Sequence, residues 1–213
     1  FPTRRSSDLS DVSLTLTAHN NINLNGSITA TGAGKLNVVL NANSDATGGG
    51  VATLGGSSTL ALKGGSISSA NGSALVWGNG HLNNVTLATS ATLTGTANIS
   101  NNLVLSGGVS LTLGSNANLI YIGNNTISGS GNIVYGGSNG QIYRNNTNTT
   151  LTIGSGITIS ASGTTATSAW LGYYADETII LAPGVIWNAT NTNYTWYTGN
   201  IQNQGTINVS AGG

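Results

Sequence analysis

The sequence predicts an all-β fold, a right-handed parallel β-helix (β-solenoid). Three observations predict it: very short strands with alternating apolar residues, turn dipeptides between them, and the return of the same short patterns along the chain. Leu14-Thr15-Leu16, Leu36-Asn37-Val38, Leu60-Ala61-Leu62, Leu103-Val104-Leu105, Leu111-Thr112-Leu113, Leu151-Thr152-Ile153, Ile157-Thr158-Ile159 and Ile207-Asn208-Val209 each put aliphatic side chains on one face. Thr, Asn or Ser takes the other face, the period-2 signature of a strand. Asn25-Gly26, Asn71-Gly72, Asn139-Gly140 and the Gly-Gly pairs starting at 55, 64, 107 and 136 mark the turns. No stretch sustains a helical period with capping residues.

The repeat is longer than a hairpin. Gly32-Ala33-Gly34-Lys35-Leu36, Gly78-Asn79-Gly80-His81-Leu82 and Gly129-Ser130-Gly131-Asn132-Ile133 share one turn-into-strand pattern. Leu14-Thr15-Leu16 followed by Asn21-Ile22 returns as Leu111-Thr112-Leu113 followed by Asn118-Leu119. A core strand is therefore expected every ~18 to 25 residues, the size of a solenoid coil. A coil alone buries few side chains, so stability requires stacking like residues about 4.8 Å apart. The expectation is about eight to ten coils, a rod of about 40 to 50 Å. It includes right-handed winding, inward Leu14, Leu16, Leu36, Val38, Leu111, Leu113, Leu151 and Ile153, and amide ladders of Asn at the turns. Barrels and sandwiches, the rival folds, use longer strands and more uniform hairpins.

Composition agrees. The chain has 213 residues, of which 32 are Gly and 5% are charged, with zero net charge and no Cys. Ordinary domains carry about 25% charged residues. Without clustered cations, nucleic acid is not an expected partner. No apolar run approaches the ~20 residues of a membrane helix. Residues 1–9 depart from this composition: they hold Arg4 and Arg5, two of five basic residues. The segment resembles a translated sequencing adapter and is expected to be foreign to the fold. The chain is then expected to be a piece of a longer protein.

Residues 14–32, from Leu14-Thr15-Leu16-Thr17-Ala18-His19-Asn20-Asn21-Ile22 to Ala30-Thr31-Gly32, resemble the late coils of the secretion domain in filamentous-haemagglutinin-like exoproteins. Residues 34–45 and Gly48-Gly49-Gly50-Val51 continue the likeness, which covers about residues 12–72. Gly80-His81-Leu82-Asn83-Asn84-Val85-Thr86-Leu87 and Asn203-Gln204-Gly205-Thr206-Ile207-Asn208 look like the repeats of adhesin passengers, those of autotransporters included. The resemblance implies a division into secretion-domain coils (residues 10–72) and passenger coils (residues 73–213). It also implies export through an outer-membrane partner pore, a place on the bacterial surface or outside the cell, and adhesion to a glycan or protein surface.

Chemistry-bearing residues are sparse. Beyond residue 9 the acids are Asp11, Asp45, Asp176 and Glu177, and the cations Lys35, Lys63 and Arg144. Adjacent Asp176 and Glu177 are a poor general acid/base pair, since neighbours in a strand face opposite ways, and a solvated turn is expected for them. A polysaccharide-active β-helix enzyme is the alternative that such acids would serve. His19 and His81 read as polar turn residues, with no metal or other cofactor implied. Thr-x-Thr at 15/17, 29/31, 92/94 and 94/96 raises ice binding, which would need the pairs stacked on one face. Asn25, Asn84, Asn98, Asn188 and Asn193 begin Asn-x-Ser/Thr triplets, frequent by chance in this composition. The aromatic residues are the exception to the sparse pattern. Trp170, Tyr173, Tyr174, Trp187, Tyr194, Trp196 and Tyr197 fall in one short region, beside the Asn- and Thr-rich loop 188–193. Rings of this kind stack on sugars or anchor partners, so these seven are the candidate ligand-binding residues. At least two are expected to be exposed on one side of the rod, because a thin solenoid has little room for large rings.

Overall fold

The computed structural model describes residues 10–162, 168–189, 194–195 (backbone only) and 200–209. Residues 1–9 lie outside them. Every strand pairing among the described residues is parallel, and each joins one coil to the next. The chain winds as a parallel β-solenoid of three faces. The second face is a nine-stranded sheet running from Ile22–Leu24 through Ala91–Leu93 to Thr206–Val209, so the described residues make nine coils. The other two faces are joined into one 15-stranded sheet, because Gly80–Leu87 and Thr96–Leu105 pass round a corner without breaking. The first face starts with Val12–Thr17 and the third with Ile28–Thr29. Pairing of Val51–Leu54 with Ala74–Trp77 carries the stack across residues 72–73.

The alternation places the core. Along the second face, Leu24, Leu54, Trp77, Leu93, Leu113, Tyr135 and Ala161 stack in register, one per coil. Of the eight residues expected inward, Val38, Leu111, Leu113, Leu151 and Ile153 are fully buried. Leu14, Leu16 and Leu36 are partly so, since they lie in the first described coils. Each fully buried aliphatic side chain contributes about 1.5 to 3 kcal/mol. The rise per coil makes the stack about 40 Å long.

Corners are built from Asn and from side-chain oxygens. Among the described residues, seven of the nine non-glycine residues with positive φ are Asn, including Asn84, Asn101 and Asn102 at the two unbroken corners. Amide ladders link successive coils: Asn101 Nδ2 donates to Asn83 Oδ1 (2.9 Å), and Asn139 Nδ2 to Asn116 Oδ1 (3.3 Å). Elsewhere a corner oxygen accepts the backbone N–H of the next coil, as Asn21 does from Val51, Asn79 from Thr96 and Asn124 from Thr150. These bonds continue the ladder where strands end.

Two expectations need correction. Coil length varies more widely than the repeat predicts: Leu75 pairs with Ala91 across a short coil, and Ile22 with Ala52 across one nearly twice as long. The corners absorb the difference, as in the turn of residues 42–50. The shared Gly-x-Gly pattern also marks no fixed place in the coil. Leu36 enters the first face, Leu82 the third and Ile133 the second. Likewise Leu14-Thr15-Leu16 lies on the first face and Leu111-Thr112-Leu113 on the second. Positive-φ glycines serve all three corners, as Gly56, Gly64 and Gly107 do, so the local pattern reports a bend and not which corner it is.

His81 is not a turn residue either. It lies inside Gly80–Leu87, is half-buried, and its Nε2 is 2.7 Å from Ser100 Oγ. Burial holds its pKa below the ordinary 6.5. As the pH falls, the unfolded chain therefore takes up a proton first. The contribution of the neutral ring is full above about 6.5 and declines below it, toward the folded-state value. Urea midpoints measured from pH 7 to 5 are expected to fall more in the native chain than in His81→Gln; parallel curves would refute this.

Candidate functional site

The third face carries the aromatic cluster. Gly140–Arg144 alternates so that Ile142 and Arg144 are buried while Gln141 and Tyr143 face outward, half-buried. Ala169–Leu171 stacks on it with Gln141 opposite Trp170 and Ile142 opposite Leu171. Ala169 and Leu171 are buried, so Trp170 takes the outward position between them. The chain then turns through Gly172 (φ 84°), whose N–H donates to Ile142 O at 2.8 Å. This turn presents Tyr173 and Tyr174, 44% and 38% exposed.

The rings form one patch. Trp170 and Tyr173 stack at 5.5 Å with 12° between planes. Tyr174 stands edge-on to Tyr173 at 4.9 Å, and Tyr143 lies 6.2 Å from both tyrosines. Offset and edge-to-face contacts of this kind suit the ring quadrupole. Burial raises the Tyr143 pKa, and the neighbouring Tyr174 and Tyr173 add to it.

A buried polar cluster lies beneath. The inward column of the third face runs Ile28, Leu60, Leu82, Ile99, and then becomes Tyr121 and Arg144. Glu177, fully buried, accepts from the Tyr121 hydroxyl at 2.5 Å and from the Tyr173 and Tyr174 N–H groups at 2.8 and 3.1 Å. Burial, then the Glu177 carboxylate, pushes the Tyr121 pKa far above its ordinary value, so the phenol stays a donor. The Arg144 guanidinium pairs with Asp176, and its Cζ lies 4.2 Å from the Tyr174 ring centroid. Burial opposes ionisation of Asp176, but the Asn148 N–H and Arg144 outweigh it and lower its pKa. The turn that displays the tyrosines is thus held from inside by one carboxylate and from its edge by another.

Only part of the expected set is brought together. Trp170, Tyr173 and Tyr174 meet, and two neighbouring rings are exposed on one side of the rod. Trp187 is a correction: it is 1% exposed on the second face, in column with Ile159 and Ile207, and belongs to the core. Tyr194 is paired through its backbone with Ala169, one coil beyond the patch; its side chain, and Trp196 and Tyr197, lie outside the described residues. The rod also has more room for rings than expected, since Trp77, Tyr121 and Tyr135 are fully buried as well. Tyr135 fits because Gly140 beside it has no side chain; a Cβ there would sit 3.0 Å from Tyr135 Cδ1.

Tyr143 belongs to the patch and lies outside the aromatic-rich stretch; the outward phase of Gln141 and Tyr143 is the signal that could have found it. Glu177 corrects the expectation of a solvated turn. It lies in phase with buried Ile179 and Leu181, so the alternation points it inward despite its charge. The remaining acids hold corners: Asp11 accepts from Lys35 N–H, and Asp45 from Thr47 beside His19. The Thr-x-Thr pairs begin on different faces, Thr15 opposite Val39, Thr29 opposite Ala61 and Thr92 opposite Thr112, and do not stack on one another. Compared with protein-family models, curated proteins and solved structures, the chain matches none.

Proposed function

We propose that the chain is a shaft segment of a large secreted or cell-surface bacterial exoprotein with an adhesive role, and that the Tyr143, Trp170, Tyr173 and Tyr174 patch binds glycans weakly. The observation that carries this reading is an exposed aromatic patch on the side of a rod whose other outward residues are mainly amides and hydroxyls. Stacked coils supply length and stiffness, the properties a shaft needs. The resemblance of residues 12–72 to exoprotein secretion domains supports the place outside the cell and the partner pore. An exposed ring contributes about 1 to 2 kcal/mol to binding. Single sites of this size are weak, and many copies on one surface give avidity.

The test is a glycan array probed with the native chain and with a Trp170→Ala, Tyr173→Ala, Tyr174→Ala variant. The native chain is expected to bind a subset of neutral glycans and the variant none, with unchanged far-ultraviolet circular dichroism. Identical behaviour of the two would refute the glycan reading.

A further inference from the structure

The outward positions of the third face form two columns along the rod. One reads Thr96, Asn118, Gln141, Trp170, and the other Asn98, Ile120, Tyr143, in register coil by coil. Amide side chains therefore lead straight into the aromatic patch, each step one coil, about 4.8 Å. None of these side chains is charged. Resting on the glycan reading above, we propose that the ligand is an extended, uncharged polysaccharide lying parallel to the rod axis. One sugar stacks on the patch, and the next ones are held by Gln141 and Asn118.

The geometry supports an axial chain. A hexose unit in a ribbon-like, equatorially linked polymer advances by close to one coil rise, so successive sugars meet equivalent positions. An amide offers both a donor and an acceptor to a hydroxyl pair, while the ring takes the apolar sugar face. Asn118 Nδ2 donates to Thr96 Oγ1 at 3.2 Å, which fixes that amide and leaves its Oδ1 as an acceptor. A helical glucan would leave the columns after a unit or two, and a polyuronate would find no Lys or Arg along them.

The experiment titrates the native chain with β-1,4-linked gluco-oligosaccharides from the disaccharide to the hexasaccharide, with α-1,4-linked and galacturonate series beside them. Affinity for the β-1,4 series is expected to rise with length by about tenfold, the worth of one or two hydrogen bonds. Gln141→Ala with Asn118→Ala removes that gain, so that the hexasaccharide binds no more tightly than the disaccharide. Binding that ring variants abolish but that shows no length dependence, or is indifferent to the amide variants, overturns the axial chain and leaves the patch reading standing. A stronger response to either control series also overturns it. No binding by any saccharide overturns both.

Discussion

Gly129→Ala is expected to destabilise the solenoid by about 3 to 5 kcal/mol, near the upper end for single substitutions. Gly129 makes the corner between the first and second faces with φ 103°. That conformation alone costs an L-residue roughly 1 to 2 kcal/mol. The larger cost is contact. A Cβ there would lie 2.1 Å from Leu105 O in the preceding coil, so backbone must move. Leu105 O also accepts the Ser130 N–H at 2.8 Å, and Leu105 itself is a fully buried core residue. Relief of the clash therefore breaks a corner bond and disturbs the stack, where each coil is supported only by its neighbours. Gly107→Ala is the control, because Gly107 has φ 69° and open space around it; about 1 kcal/mol is expected there. Urea unfolding of both variants decides the matter, and equal midpoints would show that backbone contact is not the controlling cost.

Removal of the buried carboxylate has an effect of similar size. Glu177→Ala removes the fully buried carboxylate that accepts from the Tyr121 hydroxyl and from the Tyr173 and Tyr174 N–H groups. Each orphaned group costs about 1 to 3 kcal/mol, so a loss of about 3 to 5 kcal/mol is expected. The turn bearing Tyr173 and Tyr174 then loses its anchor, and the near-ultraviolet circular dichroism of the stacked rings should collapse with it. Glu177→Gln keeps the shape and one acceptor oxygen, and should lose about half as much. A variant as stable as the native chain, with the aromatic signal intact, would mean that Asp176 and the backbone of the turn suffice to hold it.

Much of the fold and part of the site are legible in the residues. The period-2 alternation is a local property of the backbone, and one inward column depends only on the next strand obeying the same rule. Trp170 can be placed outward from Ala169 and Leu171 alone. Trp187 cannot, because in Ile186–Ala189 the outward phase includes Ile186, 42% exposed, so apolar residues lie in both phases. Its place is decided by register with Ile159 and Ile207. Glu177 and Arg144 lie in the inward phase, but charge argues against burial. Their burial is possible only because Tyr121 and Asp176, 56 and 32 residues away respectively, meet them there.

The all-β class, the stacking of short strands, the Asn and Gly corners and the inward aliphatic residues all follow from interactions within one strand or one turn, and so are written locally in the chain. Which corner each turn makes, how long each coil is, and which rings share a patch are settled by long-range packing. Tyr143 and Trp170 join one patch through Tyr173 because Gln141 pairs with Trp170 across one full coil. That register is set by the summed packing of all three faces around the core. No local pattern carries it, because glycines with positive φ serve all three corners and a coil can lengthen at any of them.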